Sequence, residues 1–146
     1  MAKVDWYSYA ENFQAKIQAA LPDLMCSIEE AKPHGDLSAT IFIKGRQAPE
    51  NMQTISAYTR TRYLIEMQIW VAAWSLEGYR RACEIRDDAI GSIEDVLQDQ
   101  ANWSSFANAV YLDGGELETA SQAETGRMGY YAGGTINFRV DATHTR

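Results

Sequence analysis

Residues 60–74 carry the most constraining pattern in the chain. Tyr63, Ile65, Met67, Ile69, Val71 and Ala73 fall on one side of a two-residue period. Arg62, Leu64, Glu66, Gln68, Trp70 and Trp74 fall on the other. Alternation sustained over this length is a β-strand with one face in a core and one amphipathic face. At about 3.4 Å per residue the strand spans roughly 50 Å, well beyond the common length. Such a strand has to bend or project past its domain.

The remaining elements follow from period and punctuation. Trp6, Ala10, Phe13, Ile17 and Leu21 recur at helical spacing, and Pro22 ends the ladder, so a helix is expected over 4–21. Short strands are expected over 24–31 and 38–44, separated by the turn residues Pro33-His34-Gly35-Asp36. In the second of these, Ala39, Ile41 and Ile43 alternate with Ser38, Thr40 and Lys44, with Phe42 on the outer side. Ser75 is a good N-cap for a helix over 76–98. Its buried stripe is Ala82, Ile85, Ala89, Ile93 and Val96, and Arg80 with Glu84 and Glu77 with Arg81 pair on its outer side. A strand over 106–112, a turn at Asp113-Gly114-Gly115 and a last alternating strand over 135–141 complete the order. That order is α-β-β-β-α-β-β: an α/β chain of the α+β kind, with a mixed or largely antiparallel sheet, two packed helices and long loops. Residues 1–146 read as one domain, with no repeat or linker.

Composition narrows the class. With 46% apolar and 23% charged residues the chain is ordinary globular material. A formal net charge of −7 opposes sequence-independent nucleic-acid binding, which needs clustered Lys and Arg. No run approaches the roughly 20 apolar residues of a membrane span. The first residues lack the apolar core and cleavage site of a secretory signal, so the expectation is a protein made in the cytoplasm. Cys26 and Cys83 both fall inside regular elements and read as small reduced hydrophobes.

No catalytic pattern emerges. Of the two histidines, His34 sits in the turn and His144 in the C-terminal tail, and neither belongs to a zinc spacing. No Ser or Cys lies in a G-x-S-x-G elbow, although a triad around His34 that forms only in space stays open. The neighbours Glu29-Glu30, Asp87-Asp88 and Glu94-Asp95 read as solvated charge, since adjacent residues on a helix diverge by about 100°. The pairs Gly114-Gly115 and Gly133-Gly134 read as turns flanking strands. Asn102-Trp103-Ser104 matches a glycosylation acceptor but has no secretory context. The expectation is a non-enzyme with no metal and no cofactor.

What stands out is aromatic content: four Trp and eight Tyr. Trp70 and Trp74 lie on the polar side of the long strand beside Arg62, Glu66 and Gln68. Aromatics with Arg on a polar surface are the composition of an interface centre, unless the second helix covers that side. Two connections, 45–59 and 116–134, are long for loops of a compact domain. They carry Met52, Ile55 and Tyr58 in the first and Met128, Tyr130 and Tyr131 in the second. The candidate interface is therefore Arg62, Glu66, Trp70, Trp74, Met52, Tyr58, Met128, Tyr130 and Tyr131. A binding module whose long loops hold a peptide or ligand is the competing reading.

Two stretches resemble the tail terminator family of long-tailed bacteriophages. One is the long strand entering a helix, Thr61-Arg62-Tyr63-Leu64-Ile65-Glu66-Met67-Gln68-Ile69-Trp70-Val71 through Arg80-Arg81-Ala82-Cys83-Glu84-Ile85-Arg86-Asp87. The other is Gly133-Gly134-Thr135-Ile136-Asn137-Phe138-Arg139-Val140. The likeness is one of element order and pattern, covers most of the chain, and includes no catalytic residue to carry over. It implies an α/β subunit of a hexameric ring that caps the tail tube, stops its growth and supplies the surface that joins the head. The implied partners are copies of the chain, the tail tube protein and neck or connector proteins. DNA passing through the lumen is compatible with the acidic balance, and the implied location is the virion tail or neck. Other head–tail connector and neck proteins share the layout.

Overall fold

Alternation and helical period together build a sheet with helices on one side. The computed structural model describes residues 4–30, 36–48, 60–122 and 129–145. Helix α1 is Trp6–Ala20, and the strands β1 Met25–Ile28, β2 Leu37–Gln47 and β3 Arg60–Ser75 follow it. Helix α2 is Tyr79–Gln98, succeeded by a short 3-10 turn at Gln100–Asn102. The chain then forms β4 Ala109–Leu112, the two-residue β5 Ser121–Gln122 and β6 Tyr130–Thr145. The expected order thus holds, with β5 added to it.

The sheet runs β1-β2-β3-β6-β4, with β5 also on β6. It is mixed: β1 is parallel to β2 and every other pairing is antiparallel. The long strand finds a partner of equal length, because β6 pairs β3 from Arg60 with Thr145 to Ser75 with Tyr130. β2 reaches only as far as Leu64 and β4 only as far as Asp141, so residues 60–63 and 142–145 extend beyond them as a two-stranded ribbon. The projecting end is held by aromatic packing. Trp6 of α1 meets Tyr63 edge-on at 4.9 Å, and Arg46 stands 5.2 Å over the Trp6 ring.

Both helices cover the same face. Ala10, Phe13 and Ile17 of α1 and Ala89, Ile93, Val96 and Leu97 of α2 share one core with Ile41, Ile65, Met67, Ile69, Val71, Ile136, Phe138 and Val140. Phe13 sits at its centre, edge-on to both Phe106 and Phe138. Trp103, from the glycosylation-like triplet, is 8% exposed and donates its indole N–H to Leu97 O at 2.9 Å. The outer-face pairs of α2 form as spaced: Arg80 with Glu84 at 3.1 Å and Arg81 with Glu77 at 3.7 Å.

Four local expectations are corrected. Ser75 does not cap α2: β3 stays paired with β6 through Ser75, and the helix begins after Gly78 at φ 134°, a conformation that glycine reaches without a Cβ clash. Ser75 Oγ instead accepts from Glu77 N–H at 3.1 Å inside that turn. Gly133 and Gly134 are not a turn but lie inside β6, opposite Ala72 and Val71. The span 116–134 is not one long loop, since Glu116, Leu117 and Glu118 run alongside β6 and Tyr130 already belongs to it.

The reason for the glycines is close approach. A Cβ on Gly115 would stand 1.8 Å from Thr135 O, and one on Gly133 would meet Tyr131 Oη at 2.2 Å. Without side chains the strand and its irregular neighbour touch directly. Thr135 N–H donates to Glu116 O at 2.8 Å and Glu118 N–H to Gly133 O at 3.0 Å. Arg86 of α2, buried to 6% exposure, locks this edge from behind by donating to Glu118 O at 3.1 Å and Gly133 O at 3.4 Å. The first loop is likewise shorter than expected, because Gly45, Arg46 and Gln47 belong to β2. Residues 49–59 and 123–128, and the turn residues 31–35 with His34, lie outside the described residues.

Candidate interface on the uncovered sheet face

Since both helices pack against the odd-numbered side of β3, its even-numbered side is left facing away from them. Among the described residues no helix or strand layer lies over this face. Trp70 and Trp74 are on it, half-buried, and α2 does not cover them. Register sets their neighbours: Trp70 stands opposite Thr135 and Thr40, and Trp74 opposite Tyr131.

The aromatic end of the face is tied together by one tyrosine. The Tyr131 ring packs on Trp74 at 5.0 Å. Its hydroxyl reaches across the bare Gly133 to donate to Glu118 Oε2 at 3.1 Å. Burial pushes the Tyr131 hydroxyl above the ordinary tyrosine value, the Glu118 charge and hydrogen bond push it further, and the neighbouring Trp70 indole opposes them. Glycine beside an aromatic here serves a purpose: it makes the bed on which Tyr131 lies.

The rest of the face mixes the apolar Phe42 and Leu64 with polar residues whose charges are consumed locally. Arg62 binds Asp141, which is 2% exposed and also accepts from Asn108 at 3.4 Å. Glu66 lies opposite Arg139 and accepts from Gln47 at 3.0 Å. Arg139 binds Asp113 through three contacts of 2.9–3.2 Å and stands 5.3 Å over the Tyr111 ring. Gln68 donates to its direct neighbour Asn137 at 3.0 Å. These are cross-strand pairs, the side-chain unit of sheet stability. They leave a face with the Trp70, Trp74 and Tyr131 rings clustered at one end and charges already matched.

Of the sequence-selected residues, Arg62, Glu66, Trp70, Trp74 and Tyr131 share this face. Tyr130 does not: it points to the helix side and packs edge-on against Tyr79 at 4.6 Å. Met52, Tyr58 and Met128 lie outside the described residues. The sequence reading left Arg139, Asp141, Tyr111 and Glu118 out of the surface. The alternation of 135–141 already put Arg139 and Asp141 on one side of their strand. What it could not tell is that this strand is the neighbour of β3.

Other chemistry is sparse. Among the described residues no group of three or more His, Cys, Asp or Glu stands close enough to hold a metal ion. Also among them, no helix is long and apolar enough to cross a membrane. Both cysteines are free, and burial pushes the Cys26 thiol up to about 11.

No protein-family model matches the chain, and no curated protein matches it. Among solved structures, the fold is similar to a chain described as the sheath/tube terminator, in the extended state, of the PVC extracellular contractile injection system. The TM-score is 0.47 at 7% identity, over 100% of this chain and 60% of that one. This chain thus spans 60% of the length of that neighbour.

Proposed function

We propose that this protein is a structural, non-catalytic subunit of a ring: a tail terminator that caps a tail tube and presents the surface to which a head or neck joins. The observation that carries the reading is the sheet face turned away from both helices, where small residues such as Thr40 and Ala72 are buried and Trp70 and Trp74 are half-buried. Trp70, Trp74 and Tyr131 gather on it, while Arg62, Glu66, Arg139 and Asp141 have their charges met within the chain. Unpaired charges are costly to bury at an interface centre, whereas Trp, Tyr and paired Arg are the residues enriched there. The sequence resemblance of 61–87 and 133–140 to tail terminators supplies the class of assembly. The mechanism is steric: one patch of each subunit meets a different patch of the next, and the contact closes into a ring because the rotation between subunits closes. A hexamer, assembly in the host cytoplasm and residence at the virion tail or neck belong to the same proposal. So do the tube protein and neck proteins as partners.

Native mass spectrometry and negative-stain microscopy of the purified protein, alone and with tail tubes, test it. Closed rings in solution, or rings seated on tube ends, are the expected result. A protein that stays monomeric at high concentration and leaves tube growth unchanged would overturn the reading.

A further inference from the structure

We infer that Gln14 and Gln18 seal the β1 edge of the sheet, withholding it from pairing with a second copy of the chain. β1 is an outermost strand, and an edge strand exposes a row of backbone donors and acceptors that another strand can use. Its register decides which groups those are. Glu29 N–H donates to Ile41 O at 2.9 Å, so in this parallel ladder the odd-numbered residues bond to β2. Cys26 and Ile28, and Leu24 just before the strand, therefore point their N–H and C=O groups away from the sheet.

The chain satisfies the outward groups of Leu24 and Cys26 itself. Gln14 Nε2 donates to Cys26 O at 2.8 Å, and Gln18 Oε1 accepts from Cys26 N–H at 3.2 Å. Gln18 Nε2 also donates to Leu24 O at 2.5 Å and to Leu21 O at 3.2 Å. Leu24 N–H is spent on Leu21 O at 3.1 Å. Two amides four residues apart lie on one side of α1, so together they offer the donor and acceptor that an added strand would bring. Beyond β1, where β2 would again be bare, the same substitution recurs. Glu29 turns out of the strand at φ 57° and its carboxylate accepts from Ile43 N–H at 2.9 Å.

The excluded occupant follows from the geometry. Both backbone groups of Cys26 point outward, so two β1 edges related by a two-fold axis would pair antiparallel with each Cys26 bonding its own counterpart. That contact is self-complementary and needs no second protein. With the glutamines in place it is closed.

The test compares the parent with Gln14→Ala/Gln18→Ala by light scattering over a concentration series. Association is scored relative to the parent, so the result stands whether or not the parent forms rings. Self-association at least tenfold tighter in the double variant is expected. It should return to the parent value when Cys26→Pro is added, since proline there removes only an outward-facing N–H. Equal association in a cooperatively melting double variant, or association indifferent to Cys26→Pro, would overturn the inference. A milder variant, Gln18→Ala, removes the acceptor of Cys26 N–H together with the donor to Leu24 O and Leu21 O, and leaves Gln14 on Cys26 O. Its Cys26 amide should exchange with deuterium at least tenfold faster than in the parent, with the Glu29 amide as the unchanged reference. Identical Cys26 exchange in the two proteins would also overturn it, and this arm holds even if the double variant does not fold.

Discussion

Single glycines are where a side chain is most clearly forbidden or missing. Gly91 lies in the exposed side of α2 with nothing within 4 Å of a would-be Cβ. Gly91→Ala should therefore stabilise the protein by about 0.5–1 kcal/mol, a rise of a few degrees in melting temperature. Gly115→Ala should do the reverse, costing about 2–3 kcal/mol, because backbone and not a movable side chain blocks the new methyl. Gly133→Ala falls between them, since Tyr131 can swing away at the expense of its bond to Glu118 and its packing on Trp74. A melt series of the three checks the ranking. At Cys26, burial raises the thiol to about 11, so the folded state keeps a proton that the unfolded chain releases near pH 9. This contribution is present below pH 9 and declines as pH rises toward 11. Alkylation of Cys26 in the folded protein should accelerate through the same upper window and not near pH 8–9, which peptide mapping after iodoacetamide would show.

At the scale of elements, the segment between α2 and β6 differs most from its reading in sequence. Glu116 to Glu118 is an irregular edge strand fixed by backbone bonds to Thr135 and Gly133 and by Arg86 from α2. Replacing residues 117–128 with a short Gly/Ser link would be nearly neutral if the segment were a plain loop. In this fold it should lower the melting temperature by several degrees, because Gly133 O and the Arg86 guanidinium lose partners in a buried setting. Arg86→Leu should cost about 1–3 kcal/mol for the same reason, leaving Glu118 O without its donor and Gly133 O with Glu118 N–H alone. Thermal melts with amide exchange at Glu118 would separate loosening of this edge from global destabilisation. A Glu118 amide as protected in Arg86→Leu as in the parent would contradict the anchoring role.

At the scale of the whole molecule, helices on one side and aromatics on the other give the domain two unlike faces. Trp70→Ala should cost folding less than the ~3–5 kcal/mol of a core Trp, since the ring is half-buried and on the uncovered side. If the face is the subunit contact, the same change should weaken assembly by about 2 kcal/mol or more, and Trp74→Ala likewise. Native mass spectrometry beside thermal melting distinguishes the two costs. A large fall in melting temperature with unchanged assembly would make the Trp70–Tyr131–Glu118 cluster a stability device and move the search for the subunit contact elsewhere.

Local pattern was enough to name the elements. The three-four spacing of Ala10, Phe13 and Ile17, and the alternation of 63–73, depend on which residues must be apolar together, and periodicity records that directly. Fold class, the buried side of α1 and the placement of Trp70 and Trp74 on the polar side of β3 follow from it, whereas which side of β3 the second helix covers does not. Partnership is not local. That β6 is the 16-residue mate of β3, that Gly133 is a bed for Tyr131, and that Gln14 and Gln18 complete the edge of β1 all depend on contacts between distant segments. A glycine pair reads the same whether the chain turns there or another strand presses against it, and a glutamine on a helix reads as solvent-facing until the strand beside it is known. Tertiary structure decided these because close approach and hydrogen-bond satisfaction are properties of pairs of segments, and one segment's sequence holds only half of each pair.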